Sequence, residues 1–238
     1  MREQDSRTAM LVGEEAVEFL RKSRVAVFGI GGVGGHLCEA LVRAGIGAID
    51  LFDNDTVSVS NLNRQLVALH STLGMPKVDA MRARLLDIDP TCQVRAFRTF
   101  YLPENADAYP LDGYDYIADA IDTVSAKLEL AVRANRLGIP MISAMGAGNR
   151  TDPTRFSVTD IFKTEGCPLA RVMRRELKAR GIKHLKVVFS DEPAMKPQPI
   201  GEAAESAGKK AVPGSLSFVP SAVGLIMARE IVFDLIQK

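Results

Sequence analysis

A short β-branched run, Arg24–Phe28, breaks into Gly29-Ile30-Gly31-Gly32-Val33-Gly34-Gly35, and helical spacing follows over Val33–Ala44. Gly29-x-Gly31-x-x-Gly34 between a strand and a helix fits a dinucleotide-type phosphate loop. Glycines at 29, 31 and 34 allow a tight turn, close approach of the backbone to a phosphate, and tight packing of helix on strand. The helix N-terminus adds free N–H groups and the positive end of its dipole. Alone, the pattern also describes a plain tight turn. A second run, Ala48–Phe52, ends at Asp53, the offset at which an acid meets ribose hydroxyls in such sheets, and this points to a nucleotide.

The alternation continues. Helical spacing over Lys77–Ile88 starts after Pro76, strands are read at Gln93–Phe97 and Tyr114–Ala118, a helix Val124–Leu137 stops at Gly138, and a strand follows at Pro140–Ala144. This predicts an α/β fold: a Rossmann-like, doubly wound, mostly parallel sheet. After Gly146-Ala147-Gly148 the period changes. A strand is expected over Arg155–Phe162, a basic helix over Leu169–Arg180, a strand over His184–Phe189 and a last helix from Ser221, together a C-terminal antiparallel elaboration. One domain over 1–238 is expected, with a helical arm at about 1–23, a nucleotide-binding core at 24–150 and a substrate-binding part at 151–238. Repeated Pro and Gly from Pro193 to Gly214 predict a mobile loop over 191–214.

Charge limits the partners. Thirty Lys and Arg against 29 Asp and Glu leave a net charge of +1, so a nucleic acid needs a local basic patch. Arg171, Arg174, Arg175, Lys178 and Arg180 supply one on the predicted basic helix, with Lys183 and Lys186 beyond it, a stripe suited to nucleic-acid phosphates. A solvated helix face is the plainer reading. The three cysteines, Cys38, Cys92 and Cys167, are too few and too scattered for a disulfide scaffold or paired CxxC motifs, which predicts a cytoplasmic protein without structural zinc. The polar start, Met1–Arg7, does not read as a signal peptide, and Arg229, Glu230 and Asp234 interrupt the apolar Val219–Ile236, so no membrane partner is expected.

Beyond Asp53 the chain carries more than a dinucleotide requires. Arg64 and Lys77 fall just past the second strand, where two cations suit a triphosphate, unless both are merely solvated. Asp122, in Asp119-Ala120-Ile121-Asp122, sits where a carboxylate can hold Mg²⁺ against phosphate oxygens; Asp119 equally fits a capping or strand-end role.

The texts GIGGVGG, DNDTVSVSNLNRQ, GMPK and DAID, in this order, resemble the ubiquitin-activating-like adenylating family of ThiF and MoeB type. The resemblance implies ATP with Mg²⁺, and adenylation of a carboxylate. It implies a phosphate loop of Gly29, Gly31, Gly32, Val33 and Gly34, a ribose acid at Asp53, further nucleotide contacts from Asp55, Asn61, Arg64, Gln65 and Lys77, and metal binding by Asp122. Ser6-Arg7-Thr8 followed by Leu11-Val12-Gly13 resembles the family segment whose arginine reaches the ATP of the other subunit, which implies a homodimer with Arg7 as that finger. Arg7, Arg64, Lys77 and Asp122 are then the catalytic set.

The zinc-binding CxxC pairs of the sulfur-carrier activators are lacking. Gly45-Ile46-Gly47, Ala144–Gly148, Asp152-Pro153-Thr154, Val158-Thr159-Asp160 and Pro168-Leu169-Ala170 instead resemble the branch that uses ATP to close a ring on threonylcarbamoyladenosine in tRNA. The alternative is an activator of a small ubiquitin-like sulfur-carrier protein; an NAD-dependent oxidoreductase and a nucleotide sensor stand further off. Cys167, ahead of the basic helix, is the candidate nucleophile if an acyl group passes to the enzyme. A cysteine-desulfurase or sulfur-acceptor partner and a bound monovalent cation stay open.

Overall fold

A computed structural model of the chain describes residues 2–198 and 213–237. Most of the loop expected to be mobile, including Lys209 and Lys210, lies outside the described residues. The elements are α1 (Ser6–Val12), α2 (Glu14–Lys22), β1 (Arg24–Phe28), α3 (Gly34–Ala44), β2 (Ala48–Phe52), α4 (Lys77–Ile88), β3 (Gln93–Phe97), β4 (Tyr116–Asp119), α5 (Val124–Leu137), β5 (Met141–Ala144), β6 (Phe156–Asp160), α6 (Pro168–Ala179), β7 (Lys186–Ser190) and α7 (Phe218–Ile236).

The seven strands run in the order β3-β2-β1-β4-β5-β7-β6. Every neighbouring pair is parallel except β6 with β7. Successive residues of a strand face opposite sides of a sheet. Val25 and Val27 of β1 accordingly enter one apolar cluster with Leu37, Leu41 and Met227, and Ala26 and Phe28 enter a second with Leu130 and Met173. Helices α3 and α7 thus cover one face, α5 and α6 the other. The chain runs outward from β1 to β3, then restarts on the other side at β4. The crevice between β1 and β4 is the switch point at which ligands settle in such sheets.

Boundaries shift from expectation for local reasons. The strand expected over 155–162 shortens to Phe156–Asp160, because the Asp160 carboxylate accepts the Phe162 N–H at 2.9 Å and starts a turn. Helix α7 begins at Phe218, ahead of Ser221, since Pro220 fits a first turn, where its missing N–H costs nothing. No helix among the described residues is long and apolar enough to cross a membrane.

The strands at one side are tied by a buried acid. Asp50 in β2 is fully buried, accepts Arg24 Nη1 at 2.9 Å and the Tyr114 hydroxyl at 2.6 Å, and pairs with Arg95 of β3. Both arginines keep some contact with water, which limits what the loss of Asp50 strands. Asp50→Ala is expected to lower unfolding free energy by about 2–3 kcal/mol, the scale of hydrogen bonds to a charged group. A urea melt with an unshifted midpoint would show that the arginines simply rehydrate.

Candidate active site

The turn after β1 is built from contacts that exclude side chains. Gly29 has φ +89°, and a Cβ there would stand 2.7 Å from the Ala120 carbonyl oxygen. A Cβ on Gly34 would stand 1.8 Å from the Gly29 carbonyl oxygen, so the first turn of α3 closes directly on the end of β1. Asp53 fastens this loop to the end of β2: its carboxylate accepts the Ile30 N–H at 2.6 Å and the Asp55 N–H at 2.8 Å. Burial pushes the Asp53 carboxyl above the ordinary carboxylate value, against the pull of these two N–H groups and of Lys77.

Beside the loop, at the C-terminal ends of β1, β2 and β4, opens a cleft of about 510 Å³. Lys77 opens α4 and is buried, and its Nζ donates to Asp55 Oδ2 at 2.7 Å. Asp55 thus holds Lys77 from within the cleft. Arg64 is anchored through Nη1 to the Ser60 carbonyl and Asn63 Oδ1, both at 2.8 Å, and among the described residues its Nε and Nη2 have no protein partner. Gln65 is buried with its amide oxygen unpartnered. Asn61 is buried too, and its Oδ1 accepts the Ser58 N–H at 3.1 Å, which shapes the turn that carries Arg64. Asp122 is exposed and takes only the Thr123 hydroxyl, at 3.3 Å.

The cleft therefore gathers Gly29, Gly31, Asp53, Asp55, Asn61, Arg64, Gln65, Lys77 and Asp122. It does not gather the rest. Gly32 and Gly34 face protein: a Cβ on Gly32 would meet Pro220 at 3.1 Å, and Val33 is the residue ahead of α3, outside the cleft lining. Arg7 is exposed on α1, also away from the lining. Cys167 precedes α6, is 3% exposed within the second apolar cluster and does not reach the cleft.

The basic helix is less uniform than its sequence. Arg174 turns inward and donates to the Thr164 carbonyl at 2.7 Å, so it braces the loop before α6. Arg175 and Arg180 both bind Glu176 at 2.8 Å and hold that carboxyl below its ordinary value. Lys186 belongs to β7 and pairs with Asp234 of α7 at 2.7 Å. Arg171, Lys178 and Lys183 stay exposed, with no ion pair among the described residues.

Sequence reading missed the aromatic wall. Phe28 and Phe52 stack at 4.3 Å, and Tyr101 meets Phe28 edge-on at 4.9 Å. Phe52, Phe100 and Tyr101 line the cleft, and burial pushes the Tyr101 hydroxyl up to about 12. The adjacent Phe100-Tyr101 just past β3 was the available signal.

A model of the ThiF family matches residues 5–238. The tRNA threonylcarbamoyladenosine dehydratase of Bacillus subtilis is 45% identical over 244 residues, covering 100% of this chain and 96% of that protein. The dehydratase of the same name from Escherichia coli is 41% identical over 202 residues, covering 82% and 75%. The crystal structure of the E. coli enzyme in complex with ATP superposes with a TM-score of 0.88 at 35% identity, over 99% of this chain and 95% of that one.

Proposed function

The chain belongs to the ThiF family, and from that premise we propose that it is an ATP-dependent dehydratase that adenylates the threonylcarbamoyl carboxylate of modified adenosine in tRNA and cyclises it. The observation that carries this reading is the single cleft at the switch point in which Asp53, Arg64, Lys77 and Asp122 converge. Similarity across nearly the whole length of a named dehydratase supports it over activation of a carrier protein.

ATP lies with its phosphates over the glycine loop and its ribose toward Asp53. A carboxylate oxygen of the substrate attacks the α-phosphorus, the bond to the bridging oxygen breaks, and pyrophosphate leaves with that electron pair. The ureido group then attacks the activated acyl carbon within the same molecule, AMP departs carrying the former carboxylate oxygen, and the ring closes with net loss of water. Proximity drives the second step. Lys77 and Arg64 stabilise the spreading negative charge of the first.

Asp122 fits a magnesium ion, because that ion needs one or two carboxylates beside phosphate oxygens and Asp122 is a cleft carboxylate whose one contact is a weak hydroxyl bond. Bound there, Mg²⁺ would neutralise phosphate charge.

The decisive experiment incubates the protein with threonylcarbamoyladenosine-containing tRNA and Mg·ATP. The tRNA mass is expected to fall by one water as AMP and pyrophosphate appear; an unchanged mass with no ATP cleavage overturns the reading.

The tRNA lies along α6. Replacing Arg171, Lys178 and Lys183 with Ala together is expected to weaken binding similarly across tRNA sequences. The salt dependence should flatten by about one unit of slope for each cation removed from a phosphate. Arg174→Ala is expected to lower thermal stability instead. Filter binding at several salt concentrations reads the first effect and a thermal melt the second.

Arg7 acts in the cleft of a second copy. Its helix also exposes Met10 and Leu11, at 81% and 89%, apolar surface that a partner subunit would cover. Mixing inactive Arg7→Ala and Asp122→Ala proteins is expected to restore activity, since a mixed dimer holds one intact composite site. No recovery on mixing would place Arg7 outside the reaction.

A further inference from the structure

Lys127 is the fourth residue of α5 and has no exposed surface. Its ammonium donates to Asp119 Oδ2 at 2.8 Å, to Ser143 Oγ at 3.1 Å and to the Ala144 carbonyl at 2.9 Å, which uses all three of its protons. Asp119 is equally buried. It accepts the Ser143 hydroxyl at 2.6 Å, and its other oxygen accepts the Ile121 N–H at 3.1 Å. One lysine therefore joins the last residue of β4 to the last two of β5.

A buried ion pair is poor evidence for stability, because apolar side chains of the same volume often hold a core as well. What the pair does supply is a fixed geometry, and that geometry leads to the cleft. From Asp119 the chain runs directly into Ala120–Thr123, every residue of which lines the cleft. The turn is gripped from two sides: the Ala120 carbonyl lies against Gly29, where no Cβ fits, and the Ile121 N–H is held by Asp119 from beneath. Asp122 is the next residue, and its side chain has little else to hold it.

We propose that Lys127 is a positioning residue for adenylation: by clamping the ends of β4 and β5 through Asp119, Ser143 and the Ala144 carbonyl, it sets the turn that presents Asp122 to the nucleotide. This rests on the reading of the cleft as an adenylation site. Lys127 touches no reacting atom. The same clamp holds the Ala144 carbonyl at the start of the segment after β5.

The test compares full-length Lys127→Met, Ser143→Ala and the paired Lys127→Met/Asp119→Asn variant with Asp122→Ala. Pyrophosphate exchange into ATP is measured with modified tRNA across a magnesium titration. Calorimetry gives affinity for metal-free ATP, and melting curves report the fold. The paired variant leaves no bare buried charge, and Ser143→Ala removes one hydroxyl, so both remain informative if Lys127→Met fails to fold. The folded variants are expected to bind metal-free ATP within about twofold of the parent, to lose about tenfold to a hundredfold in kcat, as for a catalytic group displaced by an ångström, and to need more magnesium. Parental kcat and magnesium dependence in those variants, or activity that falls only with the folded fraction, overturns the proposal. Should Asp122→Ala itself exchange at the parental rate, the adenylation reading has failed first and the proposal falls with it.

Discussion

Lys77→Met is expected to lower the rate of pyrophosphate exchange by about 10²–10³ while leaving the melting temperature nearly unchanged. The lysine is buried at the start of α4 with its ammonium on Asp55, which is itself exposed to water on the carboxylate side. Methionine fills similar volume, and the Asp55 carboxylate it leaves behind can hydrate. What disappears is a positive charge in the cleft, held in place by the Asp55 carboxylate. Its benefit grows as charge spreads over the phosphates, so kcat should fall more than ATP affinity. Asp55→Ala provides the companion measurement: with the lysine present but unanchored, a smaller loss is expected. A parental rate in Lys77→Met, measured on protein that melts normally, would remove the lysine from the mechanism.

Gly34→Ala and Gly31→Ala should separate two functions that one motif combines. A methyl on Gly34 would fall 1.8 Å from the Gly29 carbonyl oxygen, so α3 and the glycine loop must move apart. Overpacking of this kind costs about 1–3 kcal/mol. The displaced loop also carries the N–H that meets Asp53, so ATP affinity should drop roughly tenfold or more, a factor that about 1.4 kcal/mol supplies. A methyl on Gly31 meets nothing nearer than Gln65 Nε2 at 3.9 Å, and both residues line the cleft. That variant should melt like the parent and still bind ATP poorly, because its methyl occupies ligand space. Differential scanning calorimetry and ATP titration on both proteins check the contrast; equal melting temperatures for the two would contradict it.

The parallel core was legible because its central strands β1, β2, β4 and β5 are short, largely apolar runs separated by helical spacing with clear start and stop residues. The polar half of the cleft was legible for a related reason: Asp53 and Asp122 follow closely on strand ends that the sheet places on either side of β1, and Arg64 and Lys77 lie in the segment from β2 to the start of α4. The aromatic wall was not, since Phe52 reads simply as a strand residue and Phe100-Tyr101 sit in a segment with no motif of its own. Charge alone misled. Arg174 falls on the helix read as a solvated or RNA-binding face, yet it braces a loop, because its partner Thr164 lies outside that helix. Lys186 stands close to the basic helix along the chain but is held in β7 by an acid of the last helix.

Asp53 binds two backbone N–H groups of the protein itself, contacts to which a nucleotide contributes nothing. The receptor is thus preorganised, and the entropy lost in ordering the loop is charged to folding and not to association. Free and loaded forms should overlay closely around residues 29–35, capture should proceed without a slow isomerisation, and selectivity among nucleotides should come from the fixed shape of the receptor and not from its closing around a guest.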